Sequence, residues 1–208
     1  MILIRYLHTL KHLKPFQIFG RFFFIFKKFF IKKEKKRNIS IRSFKKKLFF
    51  HPKKKSYLGK NVFLFLNKKK EVIFYDDSSI EDEELLWKYH LHYFDYLNQR
   101  DTQFNAEMEF LVLSWIKKND FKKKIAWDSY PTSLRVVNWI KWIINNQVNN
   151  EEINENLFQQ GRYLLKRIEY YLTGNHLLAN AKALIFLGCF FKSTYGEEFL
   201  KKGLNLLE

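Results

Sequence analysis

The sequence predicts an all-α fold with one small β-hairpin. Three observations carry that expectation. From about residue 85 onward, apolar side chains recur at helical spacing. The segments between these stripes are short and polar, as turns between packed helices are. Residues 177–192 are apolar nearly all round, which suits a helix covered on several sides. Successive helices of this kind fit a helical bundle and an α/α toroid alike. A helix as apolar as 177–192 is ill suited to a solvent-facing edge, so the chain reads as an incomplete arc that lacks later helices.

The elements follow in order. Residues 1–31 predict one or two basic helices broken near Pro15 and Gly20. Residues 32–60 are Lys-rich, contain Pro52 and Gly59, and predict a loop or loose linker. Two β-prone runs, 62–66 and 72–75, flank the polar stretch 67–71 and predict the hairpin. The acidic run Glu81-Asp82-Glu83-Glu84 suits a helix N-terminus, and Leu85, Leu86, Tyr89, Tyr93 and Tyr96 form the stripe that follows it. Further helices are expected over 104–118, over 132–146 with Thr132 or Ser133 as N-cap, over 153–172, over 177–192 and from 195 to 207. The organisation is therefore a basic portion, 1–60, and a helical domain, 61–208.

Charge divides the chain in the same way. Of 38 Lys and Arg residues, 22 lie in residues 1–70 against the single acid Glu34, whereas residues 71–208 hold 16 against 20 acids. A basic arm attracts polyanions and anionic lipid, and charge alone does not choose among them. The apolar run 16–31 is interrupted by Arg21, Lys27 and Lys28 and is followed by no small-residue cleavage site. It is also shorter, between charges, than the ~20 residues that span a bilayer. Two readings of it stay open: Phe packing onto the rest of the fold, and an amphipathic segment on an anionic membrane surface. With no convincing signal peptide or transmembrane helix, a cytoplasmic or peripherally membrane-associated protein is expected. The one cysteine, Cys189, excludes an internal disulfide and is expected as a small buried apolar residue.

Three constellations could carry chemistry. Residues 87–96 hold Trp87, Tyr89, His90, His92, Tyr93, Phe94 and Tyr96. Two readings apply, aromatic packing with hydrogen-bonded His, or a wall on which sugar rings stack; His90 and His92, two apart, point away from each other on a helix and make a poor metal pair. Residues 127–135 are a loop entering a helix, with Tyr130 in the loop and Arg135 in the first turn, where its charge opposes the helix dipole. Arg135 therefore wants an anion, either a protein carboxylate or a substrate acid. Trp139 continues that helix. Gly174-Asn175-His176 opens the apolar helix. Two readings of Asn175 apply, a cap, or an amide that, with free backbone N–H groups, holds a carboxylate while His176 takes a proton. No phosphate loop, nucleophile elbow, metal-spaced cluster or nucleic-acid reading motif is present, so neither metal nor other cofactor nor a specific nucleic-acid partner is expected.

Four segments carry a resemblance. They are residues 12–18 (His12-Leu13-Lys14-Pro15-Phe16-Gln17-Ile18), 89–97, 127–139 and 169–184, the last containing Gly174-Asn175-His176-Leu177-Leu178-Ala179-Asn180-Ala181-Lys182-Ala183. In order and spacing they resemble the N-terminal half of the heparinase II/III-like family, in the branch associated with bacterial surface-polysaccharide proteins. The resemblance implies an α/α toroid and β-elimination at uronic acids of an acidic polysaccharide. It implies that Asn175 neutralises the uronate carboxylate and that His176 is a neutraliser or base. It makes Arg135, His92, Tyr93, Tyr130 and Trp139 substrate-side candidates. The family's catalytic Tyr, on a later helix, and a His from a C-terminal sheet domain have no counterpart in these 208 residues. The chain alone is therefore expected to be inactive or very weak as a lyase. The alternative is a non-catalytic module that binds an acidic glycan or, through residues 1–60, an anionic membrane.

Overall fold

A computed structural model describes residues 15–27, 39–73, 80–100, 105–120, 125–172 and 174–208. Its elements are α1 (Pro15–Lys27), β1 (Val62–Phe65), β2 (Lys68–Glu71), α2 (Leu85–Tyr93), a 3-10 turn (Asp95–Asn98), α3 (Asn105–Lys118), α4 (Ser129–Asn146), α5 (Glu151–Lys166), α6 (Asn175–Phe190) and α7 (Thr194–Leu204). The fold is all-α with a small antiparallel hairpin, as the periodicity predicts. Two helical hairpins, α4–α5 and α6–α7, form the body, joined chiefly by the packing of α4 on α6.

The helix starts are set by local chemistry. Asn150 caps α5: its side-chain oxygen accepts from the backbone N–H of Glu152 (3.0 Å) and Ile153 (3.2 Å). Glu151 and Glu152 in the first turn complement the dipole. Ser193 caps α7 by accepting from Gly196 N–H at 3.3 Å. Helix α4 begins at Ser129, three residues before the expected caps. Pro131 sits in its first turn, where a missing N–H is no loss. Thr132 and Ser133 are thus inside the helix and buried.

The hairpin register differs from the expected one. Val62–Phe65 pairs with Lys68–Glu71, the stretch expected to be the turn; residues 74 and 75 of the expected second strand lie outside the described residues. Leu66 and Asn67 both adopt positive φ, 53° and 62°, which makes the two-residue turn whose twist matches a hairpin. β2 carries Lys68, Lys69 and Lys70 because it lies on a wet edge, where Lys also blocks further pairing. Lys68 and Lys70 reach back to the buried carboxylate of Glu83, at 2.8 and 3.0 Å.

Residues 39–58, expected to be a linker, instead strap the helices together. Arg42 N–H donates to Phe190 O (2.9 Å), and Lys192 N–H to Ser40 O (2.8 Å). Leu48 exchanges both backbone bonds with the Asn145 side chain, at 2.7 and 3.0 Å. Farther on, Gln99 accepts from the N–H groups of Ser56 and Tyr57 and donates to Tyr57 O. Between the lysines of the strap, Ile39, Ile41, Phe44 and Leu48 pack against the core, and side-chain amides complete part of its backbone bonding.

The core runs through Trp87, Trp115, Trp139 and Trp142 to Phe158, Phe190, Phe191 and Phe199. Helix α6 is not covered all round. Asn175, Leu178, Lys182 and Cys189 lie on one exposed stripe along it. Cys189 is accordingly exposed, not buried as its apolar neighbours suggest. The side of α6 adjoining this stripe meets α7 closely: a Cβ on Gly188 would lie 2.6 Å from both the backbone N and the Cβ of Leu200. Gly188→Ala is expected to lower stability by about 1–3 kcal/mol through overpacking against backbone. Urea unfolding followed by Trp fluorescence measures it, and an unchanged midpoint would refute the close approach.

Candidate functional site

The site forms where the loop after α5 meets the start of α6 and the start of α4. Gly174 precedes α6 with φ 85° and ψ −132°, a backbone state that only glycine enters without strain. It is the N-cap residue. Asn175 is therefore the first helical residue, not the cap, and its side chain is exposed. His176 follows, with its side chain 41% exposed.

His176 has a partner that spacing did not reveal. Its Nδ1 lies 3.2 Å from Oε2 of Glu169, whose side chain is buried. Asn180, one turn after His176 on the same face, donates through Nδ2 to that oxygen at 3.5 Å and to Ser133 Oγ at 3.0 Å. Asn180 Oδ1 accepts from Glu169 N–H at 2.9 Å. Ser133 Oγ in turn donates to Ser129 O at 2.9 Å, and Ser129 Oγ to Arg167 O at 2.6 Å. Glu169 is thus pinned to α4 and α6 from several sides. Burial raises its pKa above the usual carboxylate range; His176 and then Asn180 pull it back down. With Nδ1 protonated, the imidazole donates to Glu169 and Nε2 remains an acceptor, the tautomer a general base needs.

An aromatic strip extends from this pair. Tyr130 lies against His176 with ring centroids 4.4 Å apart. Tyr93 meets Tyr130 edge-on at 6.0 Å, and Tyr89 stacks on Tyr93 at 6.4 Å. Tyr89 donates its hydroxyl to Asp128 Oδ2 at 2.9 Å. Burial pushes the Tyr93 phenol up to about 12, and burial together with Asp128 pushes Tyr89 higher still, so both are neutral donors at neutral pH. Past Tyr93 the chain reaches Asp95, which accepts from Lys53 (3.1 Å) and Asn138 (2.8 Å). Lys141, one turn beyond Asn138 on α4, sets its ammonium 4.8 Å from the centre of the Phe50 ring. Burial first, then the charges of Lys182 and Lys53, lower its pKa. A cleft of about 450 Å³ lined by Pro52, Lys53, Lys54, Lys55 and Arg100 opens nearby on the strap.

Of the seven residues singled out by sequence, the structure brings together Asn175, His176 and Tyr130, with the buried Tyr93 behind Tyr130. The other three are in the core as well. Arg135 is 0% exposed. Its Nε donates to Gln160 Oε1 (2.9 Å), its Nη1 to Ala126 O (2.8 Å) and His92 O (3.3 Å), and its Nη2 to Thr132 Oγ1 (3.2 Å). The guanidinium also lies 4.0 Å from the Trp115 ring centroid. That geometry corrects the substrate-side assignment: the guanidinium is enclosed and engaged by protein acceptors. His92 is buried and its Nδ1 accepts from Trp115 Nε1 at 3.0 Å; Trp139 is buried beneath Phe94 and Trp115. Neither presents a face to a sugar. Glu169, Asn180 and Asp128, and the hydrogen bond of Tyr89 to Asp128, were not among the expected contributors. For Asn180 a signal existed, its four-residue spacing from His176. Glu169 lies seven residues before His176 across a loop, where periodicity carries no information.

Among the described residues, no group of three or more His, Cys, Asp or Glu side chains could hold a metal ion. Compared with family models, with curated proteins and with solved structures, the chain matches none.

Two outcomes test this geometry. Arg135→Lys is expected to cost about 2–4 kcal/mol, because one ammonium cannot satisfy acceptors spread over α2, the 125–127 turn, α4 and α5. Thermal and urea unfolding measure it; a variant as stable as the parent would return Arg135 to the list of binding residues. For Glu169 the sign follows from its raised folded pKa. Its protonated form stabilises the fold below the unfolded carboxylate value, and that contribution is lost as pH rises through the folded value. Glu169→Gln is expected to remove this downward step from stability measured between pH 4 and 7, and a step of equal size in the variant would contradict the assignment.

Proposed function

We propose that the start of α6 binds the carboxylate of a uronic acid in an acidic polysaccharide, and that His176 removes the neighbouring C5 proton in a β-elimination. The observation that carries this reading is the His176–Glu169 pair: a half-exposed imidazole held by a buried carboxylate beside an exposed amide. The resemblance to heparinase II/III-like lyases, at residues 169–184, points the same way.

Each step uses a named group. The Asn175 amide and the first N–H groups of α6 hydrogen-bond the uronate carboxylate, which withdraws charge from C5 and acidifies its proton. Nε2 of His176 accepts that proton while Glu169 supports the imidazolium that forms. The C5–H electron pair becomes the C4–C5 double bond, and the glycosidic C4–O bond breaks. The leaving oxygen takes a proton from an acid, which the resemblance assigns to a Tyr outside residues 1–208. Tyr130, backed edge-on by the buried Tyr93, provides the apolar wall beside the sugar, and Lys141 and Lys182 the positive charge for further acids along the chain.

A second reading has its own observation. The Lys-lined cleft on the strap favours an acidic-glycan binding module without catalysis. Titrating the protein with hyaluronate, alginate and heparin oligosaccharides, while recording imidazole NMR signals, separates the two. The lyase reading expects the His176 signal to shift, and Asn175→Ala and His176→Ala each to weaken binding about tenfold. In a preparation that releases unsaturated uronate, seen as ultraviolet absorbance, His176→Ala lowers the rate by about 10²-fold or more. Binding that ignores both variants but weakens steeply with salt and in Lys54→Met/Lys55→Met would establish the binding module instead.

A further inference from the structure

Helix α1 presents a surface that the α6 site does not use. It docks by one face. Phe24 packs on Tyr171 with ring centroids 5.0 Å apart, the Arg167 guanidinium lies 3.4 Å from the centre of the Phe24 ring, and Arg167 donates to Phe24 O. Gly20 lets the helix close on Tyr171, since a Cβ there would sit 3.0 Å from Tyr171 Cβ. On the other face stand Phe19, Phe22, Phe23 and Phe26, exposed by 74, 71, 60 and 61%. Their spacing of i, i+3, i+4 and i+7 makes one stripe two turns long. Phe19, Phe22, Phe23 and Phe26, with Gly20, also line an apolar surface hollow of about 650 Å³.

We propose that this stripe seats the protein on an anionic bilayer surface, with the four rings among the upper acyl chains and the basic residues of the same portion at the phosphates. The charge of the chain selects this occupant. Arg21 lies on α1 itself, and the sequence from Lys11 to Arg37 holds ten Lys and Arg residues with Glu34 as its one acid. Such a segment repels a second copy of itself and attracts acidic headgroups. Aromatic rings with flanking cations are the composition of a helix that lies in an interface. Among the described residues no helix is long and apolar enough to cross a membrane, and α1 itself is 13 residues long. α1 rests on Arg167 and Tyr171, in the loop that carries Glu169. A bilayer held by α1 therefore keeps the α6 site close to it, where a membrane-attached polysaccharide would be presented.

The test is co-sedimentation of the intact chain with sucrose-loaded vesicles of phosphatidylcholine alone and with one quarter phosphatidylglycerol. The expected result is strong partition to the anionic vesicles only, falling about tenfold or more in Phe19→Ser/Phe22→Ser and falling again in 0.5 M salt, a concentration on the order of those that strongly screen surface charge. Both positions are exposed, so the variant should keep its fold. The fluorescence of the five Trp residues checks this, and Phe22→Ser alone serves if the pair does not fold. Equal partition of parent and variant overturns the proposal. So does a parent that is dimeric by light scattering, becomes monomeric on the same substitution, and binds no vesicle. Glycan binding by the α6 site is read separately, on soluble oligosaccharides, so failure of one leaves the other standing.

Discussion

The structure depends first on enclosing one positive charge. Arg135 has no contact with water, and an ionised group in that position is tolerated only when its donors are met by fixed acceptors. Those acceptors come from the end of α2, the turn before α4, the first turn of α4 and the middle of α5. Trp115 of α3 supplies an aromatic face. Five segments far apart in sequence are thereby brought to one point. An apolar core alone would allow those helices to slide; a planar fork with several directed bonds does not.

The consequence reaches the site through short links. The backbone carbonyl of His92 is bound to Arg135, and its ring is bound to Trp115, so the end of α2 is fixed in both position and rotation. Tyr93 is the next residue, and its carbonyl accepts from Asn138 on α4. Tyr93 then sets Tyr130, and Tyr130 lies on His176. The residues at the surface owe their arrangement to buried ones. Arg135, His92 and Trp139 belong to the site's support, which is why the same sequence stretches look chemical although only some of their side chains can meet a ligand.

The helices were legible because burial imposes a period of 3.6, and α3 through α7 start within three residues of where that period places them; α5, however, stops at Lys166, short of the expected 172, and leaves Glu169 in a loop. What failed has one physical cause: the sequence does not say which neighbour a polar side chain meets. Lys68, Lys69 and Lys70 show no apolar alternation, yet they form β2 because the Leu66–Asn67 turn returns the chain there. Arg135 was recognised as needing a partner, but the partners are carbonyl, amide and hydroxyl oxygens scattered over the fold. Asn175 and His176 were found because the segment 169–184 is long and distinctive. Glu169 was within that segment and was passed over, since only the folded loop brings it to His176. The Phe-rich stretch is divided: Phe24 packs inward, whereas Phe19, Phe22, Phe23 and Phe26 face out.

Gly174 shows how backbone conformation completes the site. Nothing crowds its α-carbon, so space does not require glycine there; its φ of 85° and ψ of −132° do. An L side chain would strain that state by about 1–3 kcal/mol. If the loop relaxed to escape the strain, α6 would begin at a different angle to residues 167–172. The His176–Glu169 distance would change while both residues remained present. Burial raises the pKa of the Glu169 carboxyl, and His176 and Asn180, approaching it from the first turns of α6, oppose that rise. Moving α6 would leave that carboxylate protonated or unpaired, and the imidazole without the partner that fixes its tautomer. The chemistry proposed for this surface therefore rests on a glycine that touches neither reacting group.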